Sequence, residues 1–155
     1  MRALLQRWNW LGRSVLASAV LLLLRISLDH IVDPAGAVAP NQITLGSPAA
    51  LTIMRVSGGV FLAVALALAV CLFSKRRLLD GLALLAIFAT TITTVRLIGL
   101  LVDGPAPFTV KVLKPEAALV LLSGAALFVE RRRRQSAGAR EVTALSSEHA
   151  RPEPM

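Results

Sequence analysis

Residues 50–102 read ALTIMRVSGGVFLAVALALAVCLFSKRRLLDGLALLAIFATTITTVRLIGLLV. Two long apolar blocks, from about Ala50 to Phe73 and from about Leu78 to Val102, are separated by the basic turn Lys75-Arg76-Arg77. An α-helix needs about 20 apolar residues to cross a hydrocarbon core about 30 Å thick, and each block is long enough to do so. The stretch therefore predicts two transmembrane helices joined by a short polar turn.

Two shorter apolar blocks flank this pair. The first runs from about Leu11 to Leu28 and follows Trp8 and Trp10, whose amphipathic rings suit a membrane interface. The last runs from about Pro115 to Val129, and the triplet Lys114-Pro115-Glu116 is typical of a helix start. The chain is therefore predicted to be all-α, a membrane-embedded bundle of four transmembrane helices.

The composition agrees with a membrane protein. The 155 residues are 55% hydrophobic, with a mean hydropathy of +0.70, whereas soluble domains are about 45–50% apolar. A single cysteine, Cys71, excludes an internal disulfide. His30 and His149 are far apart in the sequence and no cluster of cysteines or carboxylates accompanies them, so we expect neither a metal site nor a cofactor.

The formal net charge of +8 comes largely from basic residues at the edges of the apolar blocks. This location disfavours nucleic-acid binding and is typical of a membrane topology signal. By the positive-inside rule, these residues and both chain termini lie in the cytoplasm, which predicts a multi-pass protein of a bacterial inner membrane. The opposite loops have few basic residues, with only Lys111 and Lys114 after the third span. The basic groups are Arg2, Arg7 and Arg13, then Lys75 to Arg77, then Arg131 to Arg134.

The two ends of the chain receive different predictions. Residues 1–13 are predicted as a cytoplasmic N-terminus and residues 14–130 as the transmembrane domain. Residues 135–155 are polar, mixed in charge and contain proline, which predicts a disordered cytoplasmic tail.

A signal peptide cleaved after Ala37-Val38-Ala39 is the competing interpretation of the first block. Charged residues separate that triplet from the apolar run, and Pro40 would follow the cut, so four spans are preferred.

Charged residues inside the spans or at their ends are the most informative feature of the sequence. An ionisable group in hydrocarbon costs at least about 2.5–3.5 kcal/mol, so it normally faces a partner or a cavity. Helical spacing aligns these charges with small or polar neighbours on one stripe of each span. We expect the four stripes to face each other inside the bundle. They are Ser14, Ser18, Arg25 and Asp29; Thr52, Arg55 and Gly59; Thr93, Arg96, Gly99 and Asp103; and Glu116 with Ser123.

Side-chain direction separates the three arginines of this cluster. Helical side chains lean toward the N-terminus of their own helix. Arg55 can therefore extend outward to the interface, whereas Arg25 and Arg96 lean back into the membrane. Both of these need a neighbouring carboxylate such as Asp29, Asp103 or Glu116. Arg96 is the strongest candidate site residue.

The charge cluster has three interpretations. It is an ion-pair network that fixes helix packing, or a solvated pocket whose arginines hold an anionic ligand such as a carboxylate, a phosphate or a lipid headgroup. The third is a membrane enzyme in which His30 and either Asp29 or Asp33 act as acid and base, although the sequence offers no nucleophile. The first is preferred, which predicts a non-enzymatic protein with a structural or accessory role.

Small residues at a spacing of four predict closely packed helices. Gly59, Ala63 and Ala67 have this spacing in the second span, with Gly58 adjacent to the first of them. Packing inside the bundle is preferred over a homodimer face. The preferred interpretation of the run from Arg131 to Arg134 is a stop-transfer signal. A contact for anionic lipids at the cytoplasmic face is the second interpretation. The expected partner is thus the lipid bilayer, with a homo-oligomer or an unidentified membrane partner left open.

Several short motifs occur in a characteristic order between about Ser14 and Glu130. They are the Asp33-Pro34 loop, Arg55 to Phe61, Lys75 to Arg77, Arg96 to Gly99, Asp103-Gly104 and Glu116. In this order the chain resembles the uncharacterised bacterial membrane-protein family called domain of unknown function 4345. It is also similar in outline to the small four-helix membrane proteins of the DoxX group. The resemblance implies four spans and places Arg96, Asp103 and Glu116 at polar positions of the family, which has no established reaction.

Overall fold

The computed structural model describes the backbone of residues 2–149 apart from 75 and 106. It describes the side chains of residues 10–136 apart from 75, 106 and 107. The side chains of Trp8 and Lys75, and residues 150–155, therefore lie outside the described part of the chain. The helices are α1 (Arg2–Val32), α2 (Pro34–Val38), α3 (Pro48–Phe73), α4 (Leu78–Val102) and α5 (Pro107–His149), with a turn of 3-10 helix at Ala39–Asn41.

Four of these helices contain segments that are long and apolar enough to cross a membrane. The segments are Trp10–Val32 in α1, Pro48–Phe73 in α3, Leu78–Val102 in α4 and Phe108–Ser136 in α5. The predicted fold class, an all-α bundle of four membrane-spanning helices, is confirmed. The chain is a multi-pass membrane protein whose apolar surface contacts the lipid bilayer.

The four spans pack as two antiparallel pairs. α1 packs most extensively on α3, and α4 packs most extensively on α5, while α1 also contacts α5 and α3 contacts α4. Aliphatic side chains fill the space between the pairs. Fully buried members of this core are Leu16, Ala65, Leu68, Leu82 and Leu85.

The alternating directions of the helices give the bundle two different ends. We call the end where α3 ends and α4 begins the basic end, because it carries Arg76, Arg77 and Arg131 to Arg134. The other end, where α1 ends and α3 begins, is the distal end. It carries the acidic residues Asp33 and Asp103 at helix boundaries.

Polar caps set the helix starts at the distal end. The Ser47 hydroxyl accepts a hydrogen bond from the Ala50 backbone N–H at 3.2 Å, and Pro48 occupies the first turn of α3. The Asp33 carboxylate accepts a hydrogen bond from the Gly36 N–H at 3.0 Å at the start of α2. Each cap satisfies a backbone donor that the helix itself leaves unpaired.

The closest helix contact in the α1–α3 pair is at Gly58. A Cβ atom placed on Gly58 would lie 2.9 Å from the Cβ of His30 and 2.9 Å from a side-chain carbon of Ile31. The buried Ser27 hydroxyl donates a hydrogen bond to the Gly58 carbonyl at 2.9 Å. Glycine is required here because any side chain would separate the two backbones.

The predicted small-residue stripe of the second span is divided between two surfaces. Gly58 faces α1 inside the bundle, as expected for packing. Gly59, Ala63 and Ala67 are exposed, and a Cβ placed on Gly59 would have no neighbour within 4 Å. Spacing alone did not separate these two surfaces because Gly58 and Gly59 are adjacent and differ by about 100° around the helix.

Helix α5 differs from the sequence prediction at both ends. It begins at Pro107, so Pro115 lies inside the helix instead of starting it. A proline inside a membrane helix is tolerated when neighbouring groups satisfy the freed backbone carbonyl. At the other end, residues 135–149 were predicted as disordered but continue the helix. Extension of an existing helix avoids the unfavourable nucleation step, which a composition argument does not take into account.

We expect Gly58→Val to destabilise the bundle by about 1–3 kcal/mol, because the new side chain overpacks the α1–α3 contact. Gly59→Val is the matched control, since it makes the same change in helix propensity at a position with open space. The measurement is the unfolding free energy of purified protein in detergent. Equal stability of the two variants would contradict the close contact at Gly58.

Candidate functional site

Arg96 of α4 and Glu116 of α5 form a bidentate ion pair. The Arg96 Nε donates to Glu116 Oε2 at 2.7 Å, and Nη2 donates to Oε1 at 2.8 Å. The side chains of Arg96 and Glu116 are mostly buried, with 24% and 18% of their surface exposed. The guanidinium also lies 5.6 Å from the ring centre of Phe108, at cation–π distance. A paired, two-point geometry of this kind is among the strongest side-chain interactions and fixes the relative position of the two helices.

Helical periodicity explains why these two side chains meet. Arg96 follows the buried residues Leu85 and Ala89 by eleven and seven residues, which are close to whole turns, so all three face the interior. Glu116 precedes the fully buried Ser123 by seven residues on α5. The inward stripes of the third and fourth spans therefore meet at the Arg96–Glu116 pair.

Thr93 adds a polar atom one turn from Arg96. Within the described side chains, its hydroxyl oxygen is buried and has no hydrogen-bond partner. Ser123, on the facing stripe of α5, donates its hydroxyl to the Val120 carbonyl at 3.1 Å. The hydroxyl groups of Thr93 and Ser123 therefore lie further inside the bundle than the ion pair. Neither hydroxyl is hydrogen-bonded to Arg96 or Glu116.

Helix α1 departs from the predicted arrangement, because its polar stripe faces outward. Arg25 and Asp29 are exposed, and each lies two residues from the fully buried Ser27. Two residues correspond to about 200° around a helix, so both charges point away from the core. Ser14 and Ser18 are exposed on the same side. The sequence showed which residues share a stripe but not the direction in which the stripe faces.

Arg55 and Asp103 are also separate from the Arg96–Glu116 pair. Arg55 is exposed, and its Nε donates to the backbone carbonyl of Ile31 at 3.3 Å. Ile31 lies in the last turn of α1, where carbonyls lack partners within the helix, so Arg55 caps that helix. Asp103 is exposed at the end of α4, where its N–H donates to the Gly99 carbonyl at 2.8 Å. Two of the six predicted site residues are thus brought together.

The histidine that suggested an enzyme has a local structural environment. The Nδ1 atom of His30 lies 2.7 Å from the Ile26 carbonyl, so this nitrogen donates the hydrogen bond. The ring packs edge-on against Phe61 at 5.9 Å between centres. Asp33 is used as the cap of α2, and Asp29 points outward. In the described part of the chain, His30 meets neither carboxylate, and no group of three potential metal ligands occurs.

Glu130 is a charged residue whose role the sequence analysis missed. It is buried, with 4% exposure, and its Oε1 accepts hydrogen bonds from Arg133 Nη2 at 3.1 Å and Arg134 Nε at 3.2 Å. Arg134 also donates to the backbone carbonyl of Arg76 at 3.1 Å. This network attaches the end of the α5 span to the α3–α4 turn. The spacing of three and four residues from Glu130 to the arginines is the signal that could have predicted it.

These features define a class: small multi-pass membrane proteins built as a four-helix bundle, here with a partly buried ion pair between α4 and α5. The chain belongs to the family of the domain of unknown function DUF4345, whose family model matches residues 11–127. The match includes Arg96 and Glu116 and ends before Glu130. No curated protein and no solved structure matches the chain. The similarity in outline to the DoxX group stays a prediction.

We expect Glu130→Gln to destabilise the protein by about 1–3 kcal/mol, because it removes a buried carboxylate from two arginine donors. Asp80→Asn is the matched control, since it removes the same charge at an exposed position in the first turn of α4 at the basic end. The unfolding free energy in detergent is measured for both variants. A larger loss for Asp80→Asn than for Glu130→Gln would contradict the role of the buried network.

Proposed function

We propose that this chain is a non-enzymatic inner-membrane protein with a structural or accessory role, in which Arg96 and Glu116 act as an interhelical ion pair. The bidentate geometry carries the proposal. Both carboxylate oxygens of Glu116 already accept hydrogen bonds from Arg96, and the Arg96 guanidinium lies beside the Phe108 ring. The charged donor and acceptor groups of the site therefore bind each other, and a structural role needs no ligand.

The energetics of charge in a membrane support this role. An unpaired Arg96 would cost at least about 2.5–3.5 kcal/mol in hydrocarbon, and Glu116 offsets part of that cost by providing the opposite charge. A pair of this kind favours one register of α4 against α5, because sliding either helix by one turn would separate the charges by about 5 Å. The pair thus selects one packing arrangement among several apolar alternatives.

The orientation of the protein is the second part of the proposal. Arg76, Arg77 and Arg131 to Arg134 lie at one end of the bundle, which the positive-inside rule assigns to the cytoplasm. The Arg96–Glu116 pair then lies toward the periplasmic side, and both chain termini lie in the cytoplasm. The same arginines are well placed to contact anionic lipids of the cytoplasmic leaflet.

An anion or lipid-headgroup binding or transport protein is the alternative. The observation that favours it is Arg55, whose exposed guanidinium has a single contact of 3.3 Å to a backbone carbonyl among the described residues. Arg55 lies on α3 and leans toward the distal end, where a phosphate or carboxylate from solvent could reach it. Capping of α1 explains the same contact without a ligand, and for this reason the structural role is preferred.

A double-mutant cycle distinguishes a structural pair from a ligand site. We expect Arg96→Leu and Glu116→Leu each to lower the unfolding free energy by about 3–5 kcal/mol, because each leaves an uncompensated charge. The double variant should recover most of the loss, since both charges are then absent. Arg55→Leu is the control for loss of an exposed arginine on the same bundle.

Single variants at Arg96 and Glu116 that keep wild-type stability would contradict the structural role. That result would support the alternative, in which the two charges are retained for a ligand. Inorganic phosphate, added at constant ionic strength, is then the probe for anion-dependent stabilisation, and loss of that effect in Arg55→Leu would identify the arginine involved.

Reporter fusions test the orientation. We expect fusions after Arg77 and after Arg134 to report a cytoplasmic location, and fusions after Pro40 and after Pro107 to report a periplasmic one, because basic loops stay inside. An alkaline phosphatase and green fluorescent protein pair gives opposite signals at every site. Phosphatase activity after Arg77 would overturn the proposed orientation.

A further inference from the structure

The outward surface of α1 combines polar and charged residues at membrane depth. Ser14, Ser18, Arg25 and Asp29 are all exposed on this surface, which we call the α1 polar stripe. The core-facing side of the same helix is formed by residues such as Leu16, Leu23 and Ser27. The polar stripe therefore faces the bilayer, away from its own bundle.

Arg25 has no compensation for this position within the described part of the chain. It lies seven residues before the end of α1 at Val32, which is about 10 Å along the helix axis. Its side chain leans toward the N-terminus of α1 and hence toward the middle of the membrane. Neither Arg25 nor Asp29 forms a salt bridge with another described residue. Arg96, at a similar depth in α4, has Glu116 as its partner.

An ion pair between Arg25 and Asp29 of the same helix would not remove the free-energy cost of placing these charges in lipid. Arg25 and Asp29 are four residues apart on α1, but their side chains do not form an ion pair with each other. A pair within α1 would still leave both groups facing lipid, where a charge is unfavourable and the more so the closer it lies to the middle of the membrane. A partner that covers the stripe and provides both signs of charge satisfies both residues.

We propose that the α1 polar stripe is an interface with a second copy of this chain. Both copies insert in the same orientation, so a two-fold axis along the membrane normal places α1 against α1. Arg25 of each copy then pairs with the partner's Asp29, and one interface contains two equivalent ion pairs. This interface is independent of the Arg96–Glu116 pair, which faces the bundle interior.

The dimensions of two packed helices allow this pairing. Four residues along α1 separate the paired groups by about 6 Å along the axis, and helices pack about 8–10 Å apart. The Asp29 side chain leans toward the N-terminus of its helix and therefore toward the level of Arg25. The longer arginine side chain turns toward the distal end to meet it, so the two together span this diagonal. Ser14 and Ser18 provide small side chains nearer the other end of the stripe, where they let the backbones approach closely.

Charge complementarity favours a second copy over other occupants. A lipid phosphate would pair with Arg25 but would repel Asp29 on the same stripe. The exposed small residues of α3, Gly59, Ala63 and Ala67, carry no charge and give no reason for a specific partner. A second copy is the partner that supplies both an arginine and an aspartate at the required depth.

Cysteine cross-linking in native membranes tests the interface. The starting protein is the full chain with Cys71→Ala, which removes its single cysteine. Ser18→Cys is added on the stripe, and Ile87→Cys, exposed on α4, is the matched control. With copper phenanthroline as oxidant, two thiols lose two electrons and two protons to form the disulfide. We expect a covalent homodimer at least about tenfold more abundant for Ser18→Cys than for Ile87→Cys.

A charge-exchange series tests the ion pairs themselves. Arg25→Asp and Asp29→Arg are each expected to reduce the Ser18→Cys cross-link by about tenfold, a change of about 1.4 kcal/mol in association. The double exchange should restore the cross-link, because the aspartate at residue 25 of each copy then pairs with the arginine at residue 29 of the other. The restored double variant also shows that both altered positions still permit insertion.

Three cross-linking outcomes would overturn the proposal, and a separate measurement of oligomeric state gives a fourth. The first is equal cross-linking at residues 18 and 87, and the second is a double exchange that stays monomeric while its membrane level equals that of the wild type. The third is cross-linking of Ser18→Cys to a different protein instead of to itself. Single-molecule photobleaching of the labelled chain in vesicles of phosphatidylcholine and phosphatidylglycerol gives the oligomeric state independently, and a monomer there would contradict the interface.

Discussion

Hydrocarbon accepts no hydrogen bonds, and this constraint governs the whole structure. Every backbone N–H and C=O at membrane depth must be satisfied by the protein, so each of the four spans is helical throughout. The same solvent makes every charged side chain in a span unfavourable unless another group compensates it. Arg25, Arg55, Arg96 and Glu116 are therefore among the residues whose charge must be compensated within these spans.

The two helix pairs of the bundle are held together by different means. α1 and α3 approach closely at Gly58, where a neutral hydrogen bond from Ser27 crosses the contact. α4 and α5 are joined by the charged pair Arg96–Glu116. The first contact depends on the absence of a side chain, and the second depends on two long ones. Both select a register that apolar packing alone would specify weakly.

Helix α5 is attached near both ends of its span. Glu116 connects it to α4 toward the distal end, and Glu130, through Arg134, connects it to the carbonyl of Arg76 at the basic end. The stretch between them is largely apolar and includes the fully buried Ser123. These two polar attachments give a single membrane helix a defined height and rotation. The DUF4345 match includes both residues of the first attachment, whereas Glu130 and Arg134 of the second lie beyond its end at residue 127.

The sequence by itself determined the number of spans, the helical fold and the family, because span length and apolar composition depend only on the hydrocarbon thickness. It also placed Arg96 and Glu116 on polar stripes expected to face the core, but it left the carboxylate partner of Arg96 open among Asp29, Asp103 and Glu116, and the structure selects Glu116. The direction of the α1 polar stripe, the burial of Glu130 and the separation of Gly58 from Gly59 were decided only by the tertiary structure. Periodicity groups residues on one face of a helix, but the rotation of that face toward the core or the lipid is set by contacts with neighbouring helices.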